Sequence, residues 1–152
     1  MKKYEEKLSD EAELLNKYLS QYKVCLSKKR TLEYRRINII REFESPLKAV
    51  SYDGMPKGSG EKDKTARIAI QLAECESALQ EELSAAWLIR MDIVQTLGKL
   101  KNAKHQQLLY AKYITGETWE HIAVDMDITW RYCYMLHGNA LIELEKVLAK
   151  KN

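Results

Sequence analysis

Two long stretches of the chain carry apolar residues at helical spacing. In the first, from about residue 8 to 43, apolar positions recur in steps of three and four that add up to heptads: Leu8, Leu15, Tyr18, Tyr22, Cys25, Leu32, Ile39 and Phe43. In the second, from about residue 62 to 97, the same spacing continues one step past its end: Ala69, Leu72, Leu79, Leu83, Ala86, Ile93, Leu97 and Leu100. This spacing predicts two amphipathic helices whose apolar stripes pack in the manner of a coiled coil. Charged residues interrupt both stripes, at Lys29, Arg36, Glu76 and Arg90.

The segment between the two stretches predicts a loop. Pro46 follows Ser45, and the residue before a proline is pushed out of the helical region, so the first helix is expected to end there. Three glycines and a second proline lie between residues 50 and 60. Ser9 or Asp10 is expected to cap the start of the first helix. Two helices of similar length joined by one loop predict a long antiparallel helical hairpin over residues 1–100, with a Gly/Pro loop at 45–60.

The last third of the chain, residues 101–152, has a different pattern. Gly116 is expected to end a first helix that carries apolar residues at Leu108, Leu109, Tyr113 and Ile114. A short helix at 119–126 follows, with Thr118 placed as its N-cap, then a turn through residues 127 and 128, then a longer helix from about 129 to 148. A short helix, a tight turn and a longer helix are typical of a helix-turn-helix. The predicted fold is therefore all-α, with the hairpin followed by a C-terminal helix-turn-helix domain.

Single residues inside this pair have predicted positions. Ala123 is expected where the two helices cross most closely, because a larger side chain would force them apart. Asp127 lies at a turn position that favours positive φ, which Asp tolerates. Thr129 is expected to cap the second helix through its hydroxyl. Five apolar residues are expected to form the packed wedge between the helices: Ile122, Met126, Ile128, Cys133 and Leu136.

The remaining side chains at the start of the second helix are expected outside this wedge. They are Trp130, Arg131, Tyr132, Tyr134 and Met135. In a major groove, side chains at this end of the helix contact base edges and phosphates. Together with Thr118 and Thr129 they form the predicted DNA-binding set. The alternative interpretation is two helix caps, a solvated arginine, and an aromatic cluster that is half-buried core or a protein interface.

The charge of the chain is nearly balanced overall but uneven along its length. Its 152 residues have a formal net charge of +3. Six basic residues and one acidic residue lie between Lys28 and Arg41. This run is a solvated helix face, or it contacts the DNA backbone or an acidic partner. The residues predicted to contact a phosphate or a partner are Arg35, Arg36, Lys57 and Lys62. Lys57 lies in the Gly/Pro loop and Lys62 just beyond it. The alternative interpretation of this loop is a plain connection between the two helices.

Enzymatic and metal chemistry are not expected. His105, His121 and His137 are too widely spaced for one helical metal site. Cys133 lies four residues from His137 but on the predicted wedge, which makes it structural. Three dispersed cysteines indicate reduced thiols. The sequence therefore predicts no catalytic residues, no metal and no cofactor.

No segment has the pattern of a signal peptide or the length of a membrane span. The chain begins with two lysines after Met1, but no apolar stretch follows them. We therefore expect no membrane partner and a cytoplasmic protein of a bacterial host.

The segment from Thr118 to Glu145 resembles the promoter-recognising fourth region of bacterial sigma factors. The resemblance rests on Glu120, on the Asp127-Ile128-Thr129 turn, and on Ala140, Leu141 and Leu144. Nearly the whole chain, most strongly after Asp53, resembles phage and prophage regulators of the RinA/ArpU type. The most specific parts are the Tyr52–Gly60 loop and a pattern in the last third, namely Trp119, Ile122, Ala123, Leu136, His137, Gly138, Ala140 and Leu141. The resemblance implies control of phage late genes or of mobile-element genes, with RNA polymerase or another phage regulator as a further partner.

Two hypotheses for the function follow. The first is a transcription regulator that binds double-stranded promoter DNA through the C-terminal helix-turn-helix. The second is a protein-interaction module that binds a repressor or an RNA polymerase subunit without contacting DNA. Sigma factors place several charges at the start of the second helix, whereas this chain has only Arg131 there, which favours dimerisation or the second hypothesis. Apolar residues off the two stripes predict a homo-oligomer: Leu14, Leu19, Leu26, Ile40, Ile70, Trp87, Ile89 and Val94.

Overall fold

The part of the chain that the structure describes consists of helices and turns, with no strand. The structure is a computed structural model; it describes residues 2–44 and 60–151, and the side chains of 10–44 and 62–151. The helices are α1 (Lys2–Glu44), α2 (Gly60–Gly98), α3 (Ala103–Tyr110), α4 (Trp119–Asp125) and α5 (Trp130–Lys151), with a π-helical segment at Ala111–Thr115. The predicted all-α class is confirmed. None of the described helices combines the length and the apolar character needed to cross a membrane.

Contacts group the chain into two compact units. The terminal unit contains Met1–Val24 and Ala86–Asn152, and the hairpin unit contains Cys25–Ala85. This grouping divides each of the two long helices, whereas the sequence-based division placed its boundary at residue 100. Helix α1 is described from Lys2 to Glu44, and Ser45 and Pro46, where its end was predicted, lie with the predicted loop outside the described residues. Ser9 and Asp10 therefore lie inside the helix and cannot cap it, so that expectation was wrong.

In the hairpin unit the two helices pack side by side, and two of the charges that interrupt their stripes, Arg36 and Glu76, pair with each other. Cys25, Ile39, Cys75 and Leu79 are buried. The Cys75 thiol donates a hydrogen bond to the Leu32 carbonyl at 3.3 Å. The Arg36 guanidinium lies 2.6 Å from the Glu76 carboxylate, and both side chains are about half exposed. An ion pair of this exposure contributes little to stability, about 0–1 kcal/mol, so the apolar residues provide most of the packing energy.

Some residues of the predicted stripes lie outside the packed face of this unit. Phe43 is 54% exposed and Leu83 is 41% exposed, and Ala69 is exposed too. A straight α-helix drifts by about 20° per heptad relative to a 3.5-residue repeat, so a strict heptad pattern runs off the contact face. Of the predicted off-stripe residues in this unit, Ile70 is exposed, while Leu26 and Ile40 are half-buried.

The terminal unit has the larger core. Residues from α1, from the end of α2, and from α3 to α5 form one buried cluster: Leu15, Leu19, Ile93, Leu97, Leu100, Leu108, Leu109, Ile114, Ile122, Ala123, Cys133, Leu136, Ala140, Leu141 and Leu144. Each fully buried leucine or isoleucine contributes about 1.5–3 kcal/mol relative to an exposed one. Leu19 is fully buried, and Ile89 and Val94 pack against the cluster. The expectation that these three form an exposed stripe was wrong, because the helices of this unit cover them.

A carboxylate holds the junction between α2 and α3. One Glu143 oxygen accepts hydrogen bonds from the backbone N–H groups of Lys101, at 2.6 Å, and Asn102, at 3.3 Å, while the other bonds the His105 ring nitrogen Nδ1. Asn102 is the N-cap of α3, and its side-chain oxygen accepts from the Lys104 N–H. Burial raises the pKa of Glu143, but the bonds from His105 and the two backbone groups outweigh it and leave the pKa below its usual range. Gly116, with φ at +79°, ends the π-helical segment, as predicted.

Candidate nucleic-acid interface

Threonine hydroxyls cap both helices of the α4–α5 pair. The Thr118 hydroxyl accepts a hydrogen bond from the His121 N–H at 3.3 Å. The Thr129 hydroxyl accepts from the Tyr132 N–H at 3.2 Å, and the Thr129 carbonyl accepts from the Cys133 N–H. Each cap satisfies one of the backbone donors that a helix start leaves without a partner. Both predicted caps are confirmed.

The turn between the two helices is tight and has one residue in the left-handed region. Asp127 has φ at +53°, and no other non-glycine residue of the described chain has a positive φ. The Asp127 N–H bonds the Val124 carbonyl at 3.1 Å, and the Ile128 N–H bonds the Ala123 carbonyl at 3.0 Å. A short polar side chain tolerates this conformation better than a branched one. The predicted role of Asp127 in the turn is confirmed.

The apolar wedge between α4 and α5 is packed into the core of the terminal unit. Ile122, Ala123, Cys133 and Leu136 are buried, and Met126 and Ile128 pack against them while half-buried. Burial raises the pKa of the Cys133 thiol, and the nearby Lys112 only partly opposes this. A thiol kept protonated in this way is a poor nucleophile, in agreement with the structural role expected for Cys133.

The opposite face of the first turns of α5 is exposed. Met135 is 56% exposed, Trp130 48%, Tyr134 46% and Tyr132 38%, and Arg131 is exposed too. Within the part of the chain that the structure describes, Arg131 forms no salt bridge. The five predicted side chains therefore lie together on the surface at the N-terminal end of α5.

The structure also reveals a row of stacked rings, which we call the aromatic row. Trp130 meets Tyr134 edge to face at 5.0 Å, Tyr134 meets Trp119 at 5.1 Å, Trp119 meets His137 at 4.9 Å, and His137 stacks on Tyr113 at 6.0 Å. The Lys112 ammonium lies 4.6 Å from the centre of the Trp119 ring. Such ring pairs contribute about 0.5–1.5 kcal/mol each beyond their buried area. The three- and four-residue spacing of Trp130, Tyr134 and His137 was a sequence signal for three of the five rings in this row.

The inner end of the aromatic row is fixed by hydrogen bonds. The Tyr113 hydroxyl donates to the Asn16 side-chain oxygen at 2.8 Å and lies 2.9 Å from His137 Nε2. Since the hydroxyl has one hydrogen, its bond with His137 is one in which Nε2–H donates to the phenol oxygen. Burial, aided by the positive charge of Lys112, lowers the pKa of His137. Burial raises the pKa of Tyr113 to about 12. Both groups are therefore neutral near pH 7.

The other predicted contact residues belong to a different part of the chain. Arg35, Arg36 and Lys62 are exposed residues of the hairpin unit, and Arg36 is engaged with Glu76. Lys57 lies outside the described residues. A phosphate or partner contact at these four residues stays a prediction.

Three potential ligand atoms lie close together at α4, one from Glu117 just before the helix and two from His121 and Asp125 on it. Atoms of Glu117, His121 and Asp125 lie within 4.8 Å of one another, and His121 Nε2 is 3.6 Å from Asp125. These carboxylates were not predicted as ligands from the sequence, although His121 and Asp125 are four residues apart on α4 and therefore share a face. His121 and Asp125 are more than half exposed, so we interpret their contact as a surface ion pair.

Comparisons of the chain with family models, with curated proteins and with solved structures found no match. Its function is therefore inferred from the geometry of its own residues. The two features that bear on it most directly are the capped α4–α5 pair and the exposed side chains at the start of α5.

Proposed function

We propose that the protein is a sequence-specific DNA-binding transcription regulator that inserts the N-terminal end of α5 into the major groove. The observation that carries the proposal is the two-sided character of that end. Cys133 and Leu136 anchor one side in the core, while Trp130, Arg131 and Tyr134 are exposed on the other. A recognition helix needs this combination, because base contacts require side chains held by a rigid support.

The polar chemistry available at this end suits a groove. Arg131 is the cation, and a bidentate arginine to a guanine is the commonest specific contact with a base. Tyr132 and Tyr134 bring hydroxyls that suit phosphate oxygens. The rings of Trp130 and Tyr134 bring an apolar surface that suits thymine methyl groups. With one cation, the phosphate attraction of a single copy is weak, so the proposal includes binding as an oligomer.

The resemblance to sigma factors and to regulators of the RinA/ArpU type suggests a biological role for this DNA binding. Regulators of the RinA/ArpU type and the fourth region of sigma factors place a comparable pair of helices on promoter DNA. On this basis we propose that the target is a promoter of a phage or another mobile element, in a bacterial cytoplasm. RNA polymerase is the further partner that this resemblance suggests.

Arg131→Ala tests the proposal. The purified protein is titrated onto labelled DNA from upstream of its own gene, with excess unrelated DNA as competitor, and binding is followed by gel shift. Loss of one base or phosphate contact costs about 1–3 kcal/mol, so we expect specific affinity to fall roughly tenfold or more. The circular dichroism spectrum should not change, because Arg131 is exposed and forms no salt bridge with the residues that the structure describes.

The matched control is Lys23→Ala, which removes one exposed cation from α1 and should leave specific binding unchanged. If Arg131→Ala binds the upstream DNA as tightly as the parent, the proposed recognition by α5 is wrong. If both variants lose affinity equally, the binding is non-specific attraction and the proposal is equally wrong.

One observation favours the second hypothesis, a protein partner. Four of the five exposed side chains at the start of α5 are aromatic or apolar, and Trp, Tyr and Arg dominate the energetic centres of protein interfaces. In that case Trp130→Ala would abolish capture of a polymerase subunit or a repressor, while no DNA sequence would be preferred. The gel shift therefore separates the two hypotheses.

A further inference from the structure

A lysine-rich cleft lies at the end of α5 opposite the proposed DNA-binding surface. Five lysines line it, together with Glu143 and Val147: Lys99 and Lys101 from the turn after α2, and Lys146, Lys150 and Lys151 from α5. The cleft has a volume of about 320 Å³. The cleft was not predicted from the sequence, because the two groups of lysines are far apart in the chain.

The cleft carries a net positive charge, because its five lysines outnumber Glu143 in the lining and Asp92 beside it, which pairs with Lys151 and also interacts with Lys99. Both oxygens of Glu143 are engaged by His105 and by backbone N–H groups, so this carboxylate is turned to the α2–α3 junction. Lys151 pairs with Asp92 at 2.6 Å. The other four lysines form no salt bridge with any residue in the described ranges. Lys150 and Lys151 complement the negative end of α5, but this effect does not account for lysines contributed by another element.

We propose that this cleft binds the phosphate groups of a polyanionic ligand. A concave site lined by five lysines suits phosphate oxygens, because the flexible side chains can bring their ammonium groups to a phosphate, which lysine binds as a point charge. A peptide groove would need apolar or aromatic pockets, and Val147 is the one apolar side chain of the lining. The phosphates can come from a nucleic-acid backbone or from a free nucleotide polyphosphate. Titrations with a duplex and with tripolyphosphate distinguish the two sources.

The position of the cleft makes it a site of its own. Lys150 follows Trp130 by twenty residues on the same helix, a separation of about 30 Å at 1.5 Å per residue. The cleft shares no lining residue with the exposed side chains at the start of α5. The proposal therefore does not depend on Arg131 and goes beyond the proposed function.

The test uses Lys146→Gln/Lys150→Gln and compares it with Lys17→Gln/Lys23→Gln. The control pair removes the same charge from exposed positions on α1 of the same unit. One arm titrates a labelled random-sequence duplex by fluorescence anisotropy between about 50 and 200 mM salt. The other titrates inorganic tripolyphosphate by calorimetry. Both arms are run with the Arg131→Ala substitution present, so that failure of the proposed function does not affect them.

We expect the cleft variant to lose roughly tenfold or more in affinity and the control to keep its affinity. In the duplex arm the slope of log affinity against log salt should shrink by about two, since each phosphate contact contributes about 0.9. A change in the duplex arm alone identifies a nucleic-acid backbone, and a change with tripolyphosphate identifies a free polyphosphate. Equal affinities for the two variants in both arms overturn the proposal. Binding of poly-glutamate as tight as that of tripolyphosphate, with the same loss, also overturns it in favour of an acidic protein partner.

Discussion

At the scale of single residues, Ala123 and Asp127 set the geometry of the α4–α5 pair. Ala123 is 7% exposed, and its carbonyl accepts the Ile128 N–H that closes the turn. Asp127 supplies the left-handed residue that reverses the chain. Ala123 acts through its small volume, and Asp127 acts through its backbone conformation. The angle between α4 and α5 therefore depends on both residues.

Ala123→Leu should destabilise the protein. The larger side chain overpacks a filled contact, which costs about 1–3 kcal/mol. For a chain of this length we expect the melting temperature to fall by about 2–12 °C in a circular dichroism melt. DNA binding should be lost with it, because the helices are forced apart.

The matched control is Val124→Leu, one residue further on α4, where the side chain is 77% exposed. It should melt within about a degree or two of the parent, as surface substitutions usually do. A melt of Ala123→Leu that coincides with that of the parent would show that α4 and α5 do not cross at this residue, and the helix-turn-helix interpretation would fail with it.

His137 should make the protein less stable in mild acid. Its folded pKa lies below its usual value, chiefly because of burial and also because of Lys112. The unfolded chain therefore binds a proton at about pH 6.5 while the folded chain does not, so stability falls as the pH drops from about 6.5 toward the folded pKa. Urea unfolding of the parent between about pH 7 and 5 should show this decline.

His137→Gln isolates the effect, because the amide can still donate a hydrogen bond to the Tyr113 oxygen but does not titrate. The difference in unfolding free energy between parent and variant should shrink as the pH falls. A difference that stays constant across the range would mean that His137 is protonated alike in the folded and unfolded chains.

At the scale of elements, local signals were readable from the sequence and distant partners were not. Helix α2 was predicted to span about 62–97 and spans Gly60–Gly98, because periodicity is a property of neighbouring residues. The caps at Thr118 and Thr129 were predicted for the same reason. Glu143 was missed, since its backbone partners lie 41 and 42 residues away in the chain. The start of α1 was misplaced because serine and aspartate also occur inside helices. The residue type alone therefore does not mark the first residue of a helix.

Glu143→Gln should loosen the α2–α3 junction. The amide still offers one acceptor oxygen but loses the charge that strengthens the bonds from the Lys101 N–H and the His105 ring. Loss of a charge-assisted, partly buried hydrogen bond costs about 1–3 kcal/mol. The midpoint of urea unfolding near pH 7 should therefore move to a lower urea concentration.

Glu145→Gln on the exposed face of α5 is the matched control and should leave the midpoint unchanged. The pH dependence adds a second criterion. The folded pKa of Glu143 is lowered, so its contribution is present above the unfolded pKa of about 4.3 and is lost as the pH falls through the folded value. The difference in urea midpoint between the parent and Glu143→Gln should therefore disappear in strong acid. A difference that persists there would assign the effect to packing.

At the scale of the whole molecule, the terminal unit has apolar surface that the residues described by the structure leave uncovered. Leu14 is 66% exposed, Trp87 58% and Leu88 68%, and Met91 follows Trp87 one helical turn later on α2. Leu14 and Trp87 belong to the residues that the sequence predicted for self-association, whereas Leu19, Ile89 and Val94 are covered. The interface that remains therefore contains fewer residues than the set predicted from the sequence. Its remaining members are large side chains of the kind that interfaces bury.

We therefore expect the protein to self-associate through the face of α2 that carries Trp87. Two tethered copies would raise the effective concentration of the α4–α5 pairs on DNA, which would offset the weak phosphate attraction of a helix start with one cation. Sedimentation equilibrium at micromolar concentration should give a dimer or a larger oligomer for the parent. Trp87→Glu should shift it to the monomer mass, because a charge is placed in an apolar contact, and should weaken DNA binding as well.

Gln95→Glu adds the same charge at an exposed polar position of the same helix and should leave the mass unchanged. A parent that sediments as a monomer would contradict self-association, and a Trp87→Glu variant with the mass of the parent would place the interface elsewhere on the chain.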